Sequence, residues 1–244
     1  MLESARPKTT TALAEVLAAR ALTPLMRRIT VGGPEVAALL QADGIDAPAA
    51  WVKVFLPSGE GRAYTVSGLD HQAGTLDLDF VLHGADAASG PAAAWASQAR
   101  VGQRLGIAGP RSGGFALPAD ARWLLLAGDT TALPAIQAIA RSLPGAIKAK
   151  VYVEVPDPQE QQAIESPAWL RVEWLAARAA HGVALYQHLM YRPLPPGPGY
   201  LWIAGESASV RALRVHYLQE RGLERQRVSA KGYWKAGEAD HRDA

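Results

Sequence analysis

At Trp123 the hydrophobic pattern of this chain changes period, and that change limits the fold more than any other feature. Upstream, apolar and polar residues alternate in short stretches at 26–31, 51–56, 62–66 and 75–82, as on strands with one buried face. The turns Gly32-Gly33-Pro34, Pro57-Ser58-Gly59 and His71-Gln72-Ala73-Gly74 separate them. Short strands broken in this way predict a small antiparallel barrel, with one short helix at 92–99 and a closing strand at 104–108. Downstream, Trp123-Leu124-Leu125-Leu126-Ala127 is a continuous apolar run, the pattern of a strand buried on both faces. Helical spacing follows in Leu133, Ile136, Ile139 and Ala140. Strands at 149–155, 172–175, 200–204 and 228–234 then alternate with helices at 183–190 and 210–221. Such alternation predicts a parallel α/β sheet. The expected fold class is a two-domain β plus α/β protein: an antiparallel β-barrel over residues 1–118, then a parallel α/β nucleotide-binding domain over residues 119–244.

Composition narrows the chemistry. The formal charge is +2, from 25 Lys and Arg against 23 Asp and Glu, too small to point to nucleic acid or an anionic membrane. There is no cysteine, which excludes disulfides, Cys-ligated metals and a thiol nucleophile. Redox chemistry therefore needs a borrowed cofactor. MLESARPKTT lacks the apolar core of a signal peptide, and no apolar run reaches the length of a membrane span. A soluble cytoplasmic protein without membrane insertion is the expectation.

Arg62-Ala63-Tyr64-Thr65 sits where a strand is expected, so Arg62 and Tyr64 share one face and Ala63 and Thr65 the other. A guanidinium grips phosphate bidentately, and a phenol ring lies against a flat heterocycle. That pairing suits a flavin nucleotide; an ordinary strand with a solvated Arg is the other reading. Gly90-Pro91-Ala92 opens the short helix, as a plain helix start or as an anion site on its N–H groups. His83 ends the preceding strand, either near a ribose or adenine or as a structural histidine. Gly128-Asp129-Thr130-Thr131-Ala132-Leu133-Pro134 follows the first buried strand, where open α/β sheets bind nucleotides. There Gly128 permits close approach and the Thr131 hydroxyl can reach a phosphate. Gly205-Glu206 repeats the arrangement, with Glu206 also suited to cap the next helix. Glu154 ends the second strand, to hold the ribose of NAD or as a solvated strand end. Residues 156–160 contain no Arg or Lys for a 2′-phosphate, which tilts toward NADH. Lys231-Gly232-Tyr233-Trp234-Lys235 offers either a stacking surface with a cationic rim or core aromatics with solvated lysines, and Lys53 joins that rim if the two ends meet.

In this order the pieces resemble the siderophore-interacting protein family, NAD(P)H-dependent ferric-siderophore reductases of the ferredoxin–NADP reductase superfamily. The resemblance runs from Leu22-Thr23-Pro24 to Trp234-Lys235 and includes Asp79-Phe80-Val81-Leu82-His83-Gly84. It implies a FAD-binding barrel followed by a domain for NADH or NADPH. It implies that Arg62 holds the FAD pyrophosphate, that Tyr64 and Thr65 face the isoalloxazine, and that Gly90, Pro91 and Ala92 cradle the phosphates. The turn from Gly128 to Pro134 would receive the nicotinamide nucleotide, with Lys53 and Lys235 as candidates for contacting an anionic ferric-siderophore. Hydride would pass to the flavin and single electrons onward to Fe(III), with no catalytic side chain and no resident metal. Three positions depart from the family's usual residues: Ser67 stands for a second Arg, Thr130 for Glu and Ala93 for Ser. The alternatives are a flavin reductase with another acceptor, or a non-catalytic siderophore-binding protein with weakened FAD binding. The siderophore and the oligomeric state are left open.

Overall fold

β1 (Ala12–Thr23) opens the barrel although its Ala, Leu, Glu and Arg residues favour helix and show no strand period. Tertiary pairing overrides propensity here. β1 is held on one side by β2 (Met26–Gly32) and on the other by β6 (Arg104–Arg111), and it turns Ala12, Ala14 and Val16 inward. The computed structural model describes residues 11–82, 90–177 and 181–238. With β3 (Trp51–Phe55), β4 (Gly61–Asp70) and β5 (Thr75–Val81) the strands close in the order β1-β2-β5-β4-β3-β6. Val16, Ile29, Val52, Val54, Leu78 and Phe80 fill the interior. The short helix α1 (Pro34–Leu39) adds Val36 to this core, and α2 (Pro91–Ser97) adds Ala92 and Ala96. Asp79, from the stretch quoted for the family, serves the barrel itself. Its two oxygens take a fork from Arg28 Nε and Nη2, both at 2.7 Å, and that hydrogen-bonded pair raises the guanidinium pKa.

The second half is a five-stranded parallel sheet. Its strands are β7 (Trp123–Asp129), β8 (Lys148–Val155), β9 (Trp169–Ala176), β10 (Gly199–Glu206) and β11 (Val228–Trp234), in the order β11-β10-β7-β8-β9. β7 and β10 are buried throughout, which is why they read as unbroken apolar runs. Alternate residues serve opposite layers. Leu124, Leu126 and Trp202 pack with Ile136 and Ile139 of α3 (Leu133–Ser142). Leu125, Ala127 and Ile203 pack with Leu185 of α4 (Val183–Met190) and Leu213 of α5 (Ser207–Val215). α5 begins three residues before the periodicity suggested, because the Glu206 carboxylate caps it by accepting from Ser209 N at 2.9 Å. It then passes into a π-helical turn, His216–Glu220.

Named polar contacts join barrel and sheet. Glu160, only 1 % exposed, accepts from the Thr23 hydroxyl and from Leu25 N (2.9 Å) at the β1–β2 turn. Arg141 of α3 donates to the Ser67 carbonyl at 2.8 Å, and Trp202 Nε1 to the Gly113 carbonyl at 3.2 Å. Replacing Glu160 by alanine leaves two donors of the barrel turn without their acceptor. The expected cost is about 1–3 kcal/mol. Thermal unfolding should show the midpoint falling by about 2–4 °C per kcal/mol. An unchanged midpoint would mean that Glu160 does not secure the two halves.

Candidate active site

Register decides which way the β4 motif points. Val52 lies opposite Tyr64 and Val54 opposite Arg62, whereas Trp51 faces Thr65 and Lys53 faces Ala63. Arg62 and Tyr64 therefore lie on the face of the barrel core, and Ala63 and Thr65 on the outer face. The Tyr64 ring packs 4.0 Å from Phe80, which in turn lies 5.6 Å from Trp95 of α2. Burial pushes the Tyr64 phenol pKa up, against a small opposing effect of Arg62. Arg62 Nη1 donates to the Gly61 carbonyl at 2.9 Å. Thr65 is buried and hydrogen-bonded to Tyr233 of β11, so the flavin-type strand touches the last strand of the sheet. Burial raises the Tyr233 phenol pKa as well, and the bond to Thr65 opposes this in part.

These elements also present unmet hydrogen-bonding capacity. Among the described residues no side chain caps the N terminus of α2, where Gly90 precedes Pro91 and Ala92. Ser67 Oγ of β4 and Trp95 Nε1 of α2 are buried without a hydrogen-bond partner among the described residues. Buried polar atoms left in this way mark places for an additional partner. Ser67 is 5 % exposed, and Arg141 from α3 engages its carbonyl.

On the sheet side, Asp129 lies at the centre of the strand ends where a nucleotide crevice is expected. Its Oδ1 accepts from Thr131 N (2.9 Å) and Thr131 Oγ1 (2.5 Å). Its Oδ2 accepts from Glu206 N (3.0 Å) and Trp234 Nε1 (2.8 Å). One buried carboxylate thereby ties together the carboxyl ends of β7, β10 and β11. Gly205 makes room for it. Its φ is +141°, and a Cβ there would lie 2.6 Å from Oδ2. Gly128 is required by packing too, since a Cβ would meet Ala132 Cβ at 2.5 Å and the Ala204 carbonyl at 2.7 Å. His181, which sequence reasoning missed, stands edge-on to Trp234 at 5.0 Å. A single histidine in a loop carries no pattern that could have found it.

The other expected site residues have these surroundings. Glu154 is 3 % exposed, and its oxygens accept from Gly182 N (2.7 Å) and Leu185 N (2.8 Å). It caps α4 through these two bonds, the role of a strand-end acid engaged by backbone. The Thr131 hydroxyl donates to Asp129 Oδ1. Glu206 takes the capping role of its two. Lys235 is paired with Glu238, so its charge is partly neutralised locally. His83 lies outside the described residues. The cationic surface near Thr65 includes Arg111, not singled out in the sequence, over the Trp51 ring at 5.3 Å, and the expected Lys231, whose Nζ donates to the Ser112 carbonyl at 2.8 Å. Lys53 lies on the same outer face, its Nζ 5.8 Å from the Phe55 ring centroid.

Two stretches of the chain match known family descriptions in the same order as the two halves. Residues 58–114, which hold Arg62 to Thr65 and Gly90 to Ala92, match the siderophore-interacting FAD-binding domain. Residues 121–237, which hold the Asp129 crevice, match the siderophore-interacting protein family. The chain belongs to the siderophore-interacting protein family. The match to the FAD-binding domain takes in β4, β5, α2 and β6 of the barrel half. Ferric vibriobactin reductase ViuB of Vibrio cholerae is 36% identical over 183 residues, covering 72% of this chain and 65% of that protein. The chain thus spans just under two thirds of that relative's length. A siderophore utilization protein from T. fusca superposes with a TM-score of 0.83 at 30% identity, over 96% of this chain and 95% of that one. The siderophore-interacting protein SipS from Aeromonas hydrophila gives 0.78 at 28% identity, over 94% and 93%. No helix among the described residues is long and apolar enough to cross a membrane.

Proposed function

We propose that this member of the siderophore-interacting family is an NAD(P)H-dependent ferric-siderophore reductase acting in the cytoplasm. The observation that carries the reading is the placement of β11. Tyr233 touches Thr65 on the flavin-type strand, while the next residue, Trp234, is held by Asp129 in the nucleotide turn. Two adjacent residues thus connect the barrel strand to the carboxyl ends of the parallel strands, where α/β sheets receive nucleotides.

When bound, FAD would take a hydride from the nicotinamide and deliver single electrons to ferric iron. Arg62 would supply a fixed positive charge to the FAD pyrophosphate, and the backbone N–H groups of Gly90 and Ala92, on either side of Pro91, would add hydrogen bonds to it. Thr65, beside Tyr233 on the outer face of β4, would present its polar group toward the ring system, while Tyr64 supports the strand from the core face. The turn from Gly128 to Pro134 would take the nicotinamide nucleotide, with Asp129 holding Trp234 at its edge. Lys53, Arg111 and Lys231 would draw an anionic ferric-siderophore, the substrate, to the outer face of β3 and β4; Lys235 adds less because Glu238 offsets it. With Glu154 serving as a cap, the choice between NADH and NADPH rests on residues 156–160, where no Arg or Lys stands to favour a 2′-phosphate.

An absorption spectrum of the purified protein with added FAD, followed by anaerobic NADH and then a ferric catecholate, tests the reading. A visible flavin band, bleached by NADH and restored by the chelate, is expected. Protein that binds no FAD, or whose bleached band ferric chelates do not restore, would refute it.

A further inference from the structure

A groove of about 870 Å³ opens at the opposite end of the parallel sheet, by the amino ends of β7 and β8. Trp123 lines this groove and Asp129 the crevice, so the two are separated by the length of β7, about 20 Å for an extended strand. The floor is the α4 side of the sheet, formed by Trp123, Leu125 and Tyr152. α4 is only eight residues long and leaves that part of the sheet open. The chain leaving it, Arg192-Pro193-Leu194-Pro195-Pro196, runs along the rim, since its prolines cannot continue a helix.

The charge of the groove is one-sided. Arg122, Lys148, Lys150 and Arg192 line it and no Asp or Glu does, although the whole chain carries 23 acids against 25 bases. Arg192 is held by Glu173 at 3.0 Å. Arg122, Lys148 and Lys150 make no side-chain hydrogen bond or ion pair among the described residues. Lys148, Lys150 and Tyr152 alternate on β8 and so share one face. Trp169, opposite Lys148 in the register, is 58 % exposed beside them.

We propose that this groove binds an amphiphilic anion, a molecule with a flat apolar or aromatic body and at least two acidic groups, at a site separate from the redox crevice. The volume is that of a small-molecule site, about 300–1,000 Å³, and the apolar floor with a few charged groups is the composition such sites have. Like charges gathered in a concavity repel one another, and a bound anion relieves that repulsion. The cations line a concave wall and are not spread over a flat face, which favours a small ligand over an acidic segment of another protein.

The dianionic aromatic dye bis-ANS tests this on FAD-saturated protein, so that the flavin site is filled. A saturable rise in dye fluorescence is expected, weakened about tenfold or more in the Lys148→Glu/Lys150→Glu double variant. Lys148→Gln/Lys150→Gln, a milder change on the same exposed edge, should fall between. FAD affinity should stay within about twofold in both variants, because the groove lies a strand's length from the crevice. The neutral analogue N-phenylnaphthylamine should bind about tenfold more weakly than the dye. The proposal is overturned if the dye does not bind, if neither lysine variant weakens it, or if the neutral analogue binds as well. It is overturned equally if NADH displaces the dye, or if a polyglutamate peptide binds the groove more tightly than the dye does. Should the protein take up no FAD, the lysine variants still decide the groove, so the two readings fail separately.

Discussion

Asp129→Ala is expected to lower the thermal midpoint by about 6–12 °C, on a loss of roughly 3 kcal/mol. The carboxylate is 8 % exposed and receives four hydrogen bonds, two of them from the backbone N–H groups of Thr131 and Glu206. Backbone donors cannot turn away to find water, so alanine leaves them buried and unpaired. Trp234 Nε1 loses its acceptor at the same time, and tryptophan emission should move to longer wavelength. Asp129→Asn should fall between wild type and alanine, because its amide nitrogen confronts donors on one side and its oxygen still serves the other. The redox readout separates crevice from flavin strand. NADH-driven flavin reduction should slow by about tenfold or more as the nucleotide turn loses its geometry. FAD affinity, set on the barrel, should change by less than about threefold. A variant with an unchanged midpoint and unchanged emission would show that Asp129 does not organise the three strand ends.

Arg62→Ala is expected to weaken FAD binding by roughly 10- to 150-fold, the equivalent of about 1.5–3 kcal/mol for a lost charge-assisted hydrogen bond. Titration of flavin fluorescence quenching reads this directly. Arg62 is half-buried, with Nη1 donating to the carbonyl of its own neighbour, Gly61, so a thermal midpoint measured alongside separates a lost flavin contact from a loss of stability. Arg62→Lys keeps the charge without the planar fork and should lie between the two. Wild-type affinity in the alanine variant would remove Arg62 from the proposed flavin site and, with it, the main support for the β4 motif as a pyrophosphate grip.

Much of the fold was legible because burial imposes a period. β7 and β10, covered on both sides, read as unbroken apolar runs, and α4 and β11 span the residues expected of them. β1 was not legible, since Ala, Leu, Glu and Arg are helix formers and only its pairing with β2 and β6 makes it a strand. At the site, alternation on β4 placed Arg62 with Tyr64 and Thr65 on the other face, as its register bears out.

The polar side chains read less well. Glu154 at the end of a strand suggested a ribose ligand, and Thr131 in a glycine-led turn suggested a phosphate donor. Nothing within a few residues of either distinguishes a ligand contact from a cap. Glu154 is capping a helix whose bonded N–H groups lie 28 and 31 residues further on. Asp129 meets Glu206 N at a separation of 77 residues and Trp234 at 105. Likewise Arg122 and Arg192 join Lys148 and Lys150 in one groove only because the sheet brings four distant turns and strands to one end. From the sequence alone came the two layers, the order of their elements and the face on which each motif residue lies, because hydrophobic period is a local property of two to four residues. The tertiary structure alone decided which partner each buried carboxylate and cation has, because those partners are chosen by strand order and not by spacing along the chain.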